Sequence, residues 1–356
     1  MSESRVTIDG AALRHNLQRV RQCRPAAPIL AMVKAEAYGH GAVAVAGILA
    51  AAGVDALGVA HLDEALALRA AGLHLPITLL EGLVGHEALD QVAEQRLHLV
   101  VHQAQQLHAL LQWPGALARV WIKVNTGMNR LGFRPQEVAA VAQALHQRDG
   151  IAEIGLLTHL ACADEAQDPQ TDQQLQSFAE CRRAVALEHA SFANSALILT
   201  RPGPGHDWVR PGLMLYGASP LAGRSAQELD LRPVMRLTSR VIAVQTLRAG
   251  DAVGYGATWR AERDGRIAIV GIGYGDGYPR TATAAPVALR GRRYRLAGRV
   301  SMDMLAIDVA CDEVAVGDEV ELWGGQIAVD TVAACAGTLS YELLCRLTQR
   351  ALRHYE

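Results

Sequence analysis

Missing from this chain is any pair of cysteines in a CxxC arrangement, and none of its six cysteines (Cys23, Cys162, Cys181, Cys311, Cys335, Cys345) has metal-ligand spacing to a histidine. That excludes a metal framework and leaves scattered thiols suited to a reducing compartment. Charge of one sign is missing too. Lys and Arg number 34 against 36 Asp and Glu, the formal net charge is -2, and no basic stripe is interleaved with aromatics, so nucleic acid is not an expected partner. No long hydrophobic run exists either: the most membrane-like stretch, residues 41–54, is short and built largely of Ala, Gly and Val, which suits a packed helix. The polar start MSESRVTID lacks a charged segment followed by an apolar one, so no signal peptide is expected and the reading is a soluble cytoplasmic protein. Low-complexity linkers and sequence-level repeats are absent.

What is present is apolar residue, 50% of the chain, enough for a large core in two domains or in one barrel with an addition. Short apolar runs at 29–33, 56–59, 77–80, 97–101, 120–124 and 154–157, with weaker ones near 191–193 and 209, alternate with amphipathic stretches such as 62–71, 103–111, 135–145 and 172–187. This alternation predicts an α/β fold with an N-terminal (β/α)8 TIM-type barrel over residues 1–229. Ahead of it, residues 6–8 read as a short strand and Asp9 as the N-cap of a helix carrying Leu13, Leu17 and Val20. From residue 230 to 356 the texture changes to a mainly β domain, with strands at 234–247, 267–272, 287–289, 293–296, 305–309, 320–322 and 327–329 and a closing helix at 341–351. The first few residues are candidates to pair with that domain.

A barrel makes a specific demand, because its working residues stand at the C-terminal ends of its strands. Lys34 ends the first predicted strand in PILAMVKAEAYGHGA. A lysine there is either a solvated flank or, withdrawn from water, a free amine able to condense with an aldehyde. The fifth strand leads into residues 125–130, the sixth into Thr158 and His159, the seventh into Asn194 and Ser195, and the eighth into Arg210, Pro211 and Gly212. Phosphate sites in barrels favour the loops after strands seven and eight, where Ser195 and the amides of Gly212 and Leu213 fall. Each residue also has an ordinary explanation. His159 would be a hydrogen-bonded core histidine, Ser195 a helix N-cap, Arg210 the partner of a surface carboxylate, Asp276 a turn residue, and Tyr255, between Gly254 and Gly256, a packing residue.

Together, nine segments in order resemble the bacterial alanine racemase family: VKAEAYGHG, MNRLGF, LLTHLACADE, FANSA, VRPGLMLYG, VGYGATWRA, IGYGDGYPR, GRVSMDM and TLSYELLCRL. The likeness spans nearly the whole chain, and Glu36 departs from the Asn or Asp more usual in the lysine motif. It implies pyridoxal 5'-phosphate held on Lys34 and interconversion of L- and D-alanine, with Lys34 as the base on the D-alanine face and Tyr255 on the L-alanine face. A tyrosine's ordinary pKa of ~10 is too high for a ready base, so cationic or donor neighbours are needed. The resemblance offers His159 and Arg210, with Arg210 also facing the pyridine nitrogen, where it can only donate.

The resemblance further implies that Tyr38, Ser195, Gly212, Leu213 and Tyr341 hold the phosphate, and that Arg130 and the backbone of Met302 hold the substrate carboxylate. Lys123 matches a lysine carbamylated in some members, and Tyr274 a gate tyrosine. In the family, Tyr255 and Met302 come from the second subunit, which implies a homodimer with shared sites. Rival readings are a racemase of serine or another small amino acid, a decarboxylase on the same plan, which would bring a catalytic cysteine not visible here, and a non-catalytic cofactor-binding barrel, which would not explain the β domain. The sequence leaves open whether D-alanine is made as a peptidoglycan precursor or broken down.

Overall fold

The computed structural model describes residues 4–84, 88–165 and 167–356. The chain opens with β1 (Arg5–Ile8), then a helix, Gly10–Cys23, whose first turn is closed by Asp9 accepting from the Ala12 amide at 2.9 Å. Such a cap contributes about 1 kcal/mol. Leu13, Leu17 and Val20 are buried on one face of that helix, as their spacing predicts.

Eight parallel strands follow: β2 (Leu30–Met32), β3 (Ala56–Val59), β4 (Ile77–Leu79), β5 (Leu97–Val101), β6 (Leu117–Lys123), β7 (Ile151–Leu157), β8 (His189–Asn194) and β9 (Trp208–Arg210), paired in chain order. A parallel bridge between Ile29 and Val209 closes the ring. Most of these strands are buried on both faces, which is why they read as continuous apolar runs rather than alternating ones. The barrel predicted from the alternation is present, including its two weakest strands.

The remaining strands are β10 (Met235–Leu247), β11 (Ala252–Val253), β12 (Trp259–Arg260), β13 (Gly265–Val270), β14 (Pro286–Leu289), β15 (Arg292–Leu296), β16 (Leu305–Ala310), β17 (Glu319–Trp323) and β18 (Leu352–Tyr355). β11 and β12 form a separate ribbon, and the others make one sheet in the order β13, β16, β15, β14, β17, β10, β1, β18. β13 also pairs with β10, so six of these strands curl into a closed ring. β1 thus belongs to this sheet and not to the barrel. It runs antiparallel to β10 and parallel to β18.

Two sequence expectations fail here. Residues 327–329 are not a strand: Val329–Ala336 is a helix that buries Val329, Val332 and Ala333 at i, i+3, i+4, a period that a three-residue apolar run cannot reveal. The closing helix is also shorter than 341–351. It spans Ser340–Cys345, and the last residues form β18, whose partner β1 lies at the far end of the sequence. This tail meets the barrel at one point that matters. Arg353 Nε donates to the Gly39 carbonyl at 2.9 Å, and Gly39, at φ 79, lies where a Cβ would collide with the Leu344 carbonyl. The end of the β domain is therefore seated on the back of the segment that begins at Lys34.

Among the described residues no helix is long and apolar enough to cross a membrane, and no cluster of His, Cys, Asp and Glu could hold a metal ion.

Candidate active site

At the C-terminal mouth of the barrel lies a cleft of about 580 Å³, walled by Lys34, Tyr38, Lys123, Arg130, His159, Ser195, Arg210, Gly212, Leu213 and Tyr341. The barrel residues expected to bind cofactor or substrate meet there, as does Tyr341 from the C-terminal helix, whereas Thr158 and Pro211 do not line the cleft. Tyr255 and Met302 do not. Tyr255 is 65% exposed and Met302 53%, both on the β domain.

Lys34 follows β2 and begins a turn in which Ala35, Glu36, Ala37 and Tyr38 all adopt left-handed backbone angles, with φ between 51 and 55. For residues with a Cβ this costs on the order of 1–2 kcal/mol each, so the turn must be held by its surroundings. Glu64 holds its start, one carboxylate oxygen accepting from Ala35 at 2.6 Å and the other from Ala60 at 2.7 Å. Glu36, the departure from the family pattern, turns away from the cleft and accepts from the Ala42 amide at 3.1 Å, at the head of helix Ala42–Ala51.

At one end of the cleft Ser195 Oγ accepts from the amides of Gly212 (2.9 Å) and Met214 (3.3 Å). The helix cap expected of Ser195 is instead made by Asn194, which accepts from Leu197 at 3.0 Å. That leaves the serine hydroxyl to bind the next loop. Leu213 starts a short 3-10 turn, so helix geometry leaves its amide without an intrahelical acceptor. A methyl group on Gly212 would stand 2.6 Å from the Tyr38 hydroxyl, so only glycine lets the phenol approach this backbone. Burial pushes the Tyr38 phenol well above its ordinary range and Tyr341 up to about 12. Both stay protonated, the form that donates to an anion.

The other end is governed by Arg210, which is 5% exposed. Its Nη1 donates to Ser191 Oγ at 2.6 Å, and its Nη2 donates to the Thr158 carbonyl at 2.6 Å and towards His159 Nδ1 at 3.4 Å. Ser191 in turn donates to the Trp208 carbonyl at 2.8 Å. Burial lowers the Arg210 pKa to about 10, which leaves it charged at neutral pH. It is no partner of a surface carboxylate. Burial first, then the cations Arg210, Arg130, Lys123 and Lys34, push His159 down to about 3, so its ring is neutral. With a donor facing Nδ1, the proton of that neutral ring belongs on Nε2.

Arg130 sits at the rim on a loop folded about Asn125, whose side chain accepts from Gly127 at 3.2 Å and Asn129 at 2.9 Å. Lys123 ends β6, and burial, with Arg210, Arg130 and Lys34 nearby, pushes it down to about 8. Among the described residues, Lys34, Lys123, Arg130 and Arg210 face a single carboxylate in this wall, Glu81. Such a cleft favours a ligand with several negative charges.

On the β domain, Gly254 (φ 70) and Gly256 (φ 74) form the tight turn that presents Tyr255, which is largely exposed. The Tyr274 turn is tied to the Met302 loop by Tyr274 donating to the Ser301 carbonyl (3.0 Å) and Gly275 to that of Met302 (2.8 Å). Asp276 is a turn residue, as its ordinary explanation holds: it is buried and accepts from Gly273 at 2.9 Å. Sequence reasoning missed Glu64, Ser191 and the carbonyl of Thr158, because their roles arise from contacts across the fold.

A pyridoxal phosphate asks for an amine for its aldehyde, donors for its phosphate and a partner for its ring nitrogen. The donor set fits: one cleft brings together the Lys34 amine, a hydroxyl and amide cluster about Ser195, and the buried Arg210 guanidinium. Residues 8–220 match the family model described as alanine racemase, N-terminal domain, and residues 234–355 the one described as alanine racemase, C-terminal domain. The chain is 48% identical over 354 residues to an alanine racemase of Laribacter hongkongensis, covering 98% of this chain and 97% of that one. The crystal structure of the biosynthetic alanine racemase of Pseudomonas aeruginosa is similar with a TM-score of 0.96 and 46% identity over all of both chains. A Bacillus anthracis alanine racemase with bound L-Ala-P is similar with a TM-score of 0.88 and 31% identity, over 100% of this chain and 95% of that one.

Proposed function

The chain belongs to the alanine racemase family, isomerases acting on amino acids, and from that membership we propose that it interconverts L- and D-alanine with pyridoxal 5'-phosphate and two bases, Lys34 and Tyr255. The observation that carries the reading is the cation-rich cleft that Lys34 lines together with Lys123, Arg130 and Arg210. When bound, the cofactor supplies a conjugated electron sink that makes the Cα proton of an attached amino acid removable.

Everything else falls to the protein. Tyr38, Ser195, Gly212, Leu213 and Tyr341 would hold the phosphate, and Arg210 would donate to the ring nitrogen and keep it from taking up a proton. By doing so Arg210 would keep the ring a weak electron sink, which suits a reaction that must return the proton quickly. Arg130 would take the substrate carboxylate with its guanidinium fork, helped by the backbone of Met302. Lys34 Nζ then removes or returns the proton on one face of Cα, and Tyr255 Oη does so on the other. His159, neutral and with its Nε2 proton free to donate, would stabilise the phenolate of Tyr255, with Arg210 polarising the far side of the ring.

Because Tyr255 and Met302 lie outside the cleft of their own chain, the reading includes a homodimer in which each β domain completes the partner's barrel. The barrel unit would span residues 1–229 and the β unit 230–356, with β1 crossing between them. The Bacillus anthracis relative, with its bound L-Ala-P, supports an amino-acid substrate in this cleft. The setting is a cytoplasmic supply of D-alanine for peptidoglycan.

L-Alanine incubated in heavy water with the cofactor-loaded protein is expected to acquire Cα deuterium and to yield D-alanine, read by NMR and chiral chromatography. No exchange with alanine, alongside exchange with serine, would move the substrate. Absence of exchange with both, while the visible band of the bound cofactor is present, would reject racemisation.

A further inference from the structure

We propose that His40 is a positioning residue for the lysine turn: its Nδ1–H, aimed at the carbonyls of Ala37 (2.9 Å) and Tyr38 (2.8 Å), holds the left-handed backbone that presents Lys34 and Tyr38 to the cleft. The need for such a device is on the page. Four consecutive residues with side chains stand at positive φ, and Glu64 fastens only the first of them. The far end has backbone links, Ala37 to the Val33 carbonyl at 2.9 Å and Gly41 to that of Glu36 at 2.8 Å. The Ala37 and Tyr38 carbonyls converge on the imidazole.

His40 is built for the task. It is fully buried, and its ring lies 4.5 Å from that of Tyr216, whose hydroxyl donates to the Met32 carbonyl (2.6 Å) at the end of β2. The imidazole is therefore wedged between the turn and the aromatic that braces the strand before it. Both groups facing Nδ1 are acceptors, so Nδ1 carries the proton. Nε2 is buried with no hydrogen-bond partner, which leaves no place for a second proton, and the ring works as a neutral donor. The nearby Arg353 guanidinium also disfavours a charged ring.

The consequence for cofactor binding rests on the proposed function, whereas the lock on the turn is a property of the chain itself. Three variants separate the donor from the volume. His40→Leu fills space without a donor, His40→Asn places an amide N–H close to the position of Nδ1, and His40→Gln carries its amide one bond farther out. Amide hydrogen exchange on the cofactor-free protein is expected to speed up roughly tenfold at Ala37 and Gly41 in His40→Leu, with β5 (Leu97–Val101) unaffected. His40→Asn is expected to restore protection to within about threefold. Pyridoxal phosphate affinity, read by fluorescence titration, should follow the same order.

Unchanged exchange in His40→Leu would overturn the proposal. Equal damage in His40→Asn and His40→Leu would also overturn it, assigning His40 to packing alone. Should His40→Leu fail to fold, the comparison of His40→Asn with His40→Gln decides, since equal protection in those two contradicts a donor at Nδ1. Failure of the wild-type protein to bind pyridoxal phosphate would reject the cofactor reading and leave the exchange result standing.

Discussion

The mouth of the barrel and the face of the β domain around Tyr255 are assembled in opposite ways. In the barrel mouth each functional group is fixed by its own chain: Ser195 is tied to two amides, Arg210 to Ser191 and Thr158, and Lys34 starts a turn fastened by Glu64. On the β domain Tyr255 and Met302 are more than half exposed, and Tyr274 and Met304 are exposed in part. Aromatic and methionine side chains gathered on a surface are what an interface core requires. On the proposed reading, one region is a half-site complete in its own chain and the other is its complement for a second copy, with the cofactor and one base assigned to the first and the other base to the second.

The largest effect expected from breaking this division is at Lys34. On the proposed roles, Lys34→Ala would remove both a base and the covalent hold on the cofactor, and racemisation should fall by ~10^4-fold or more, with loss of the protein-bound visible band. Tyr255→Phe, on the opposite half, should lower racemisation by ~10^2 to 10^4-fold and do so asymmetrically. D-Alanine should still exchange its Cα hydrogen with solvent through Lys34, faster than it racemises. Equal loss of exchange and racemisation would contradict the assignment of the two faces.

Arg210→Glu would replace the proposed donor to the ring nitrogen by a carboxylate that favours its protonation. Slower racemisation is expected, together with visible absorbance that persists after alanine is added. Unchanged spectra and rates would remove Arg210 from its role. The effect should be smaller than at either base, because the proton-transfer groups stay in place.

The smallest effect concerns stability, and it again divides the two regions. Burial lowers His40 and His98 to about 4 and His159 to about 3, all three in the barrel. An unfolded histidine takes up its proton near ~6.5. The unfolded state therefore binds more protons between that pH and the folded values, so stability is fully present above ~6.5 and is lost as pH falls towards 4. At pH ~4.5 the cost is on the order of 2 kcal/mol each for His40 and His98. Hydrogen exchange across this window should rise in barrel strands before it rises in β13 to β17, and simultaneous loss would contradict the barrel as the acid-sensitive half.

The barrel was legible because parallel strands buried on both faces become uninterrupted apolar runs, and because a barrel confines chemistry to the ends of those strands. Lys34, Arg130, His159, Ser195 and Arg210 could be chosen on that rule, and the structure brings them to one cleft. Residues 327–329 and the final strand were misread for a different reason: a short apolar run has no period, and β18 exists only because β1 lies beside it. Within the site, the legible residues are those that line the cleft. Those that hold them, such as Ser191 under Arg210 and Glu64 at the lysine turn, look like ordinary polar residues until the fold brings them into contact. Arg119 is a further case. It lies over Trp121 at 5.3 Å and Trp208 at 5.0 Å and pairs with Glu153, an arrangement no local pattern announces.

The central claim, that one chain supplies the cofactor half and another the tyrosine half of each site, is tested most directly by mixing inactive Lys34→Ala with inactive Tyr255→Phe under conditions where subunits exchange. Random pairing gives mixed dimers in about half of the population, each with one intact site of two, so activity should return to about a quarter of the wild-type value. Persistent inactivity, with subunit exchange demonstrated by mass spectrometry of labelled chains, would contradict the shared site and return both bases to a single chain.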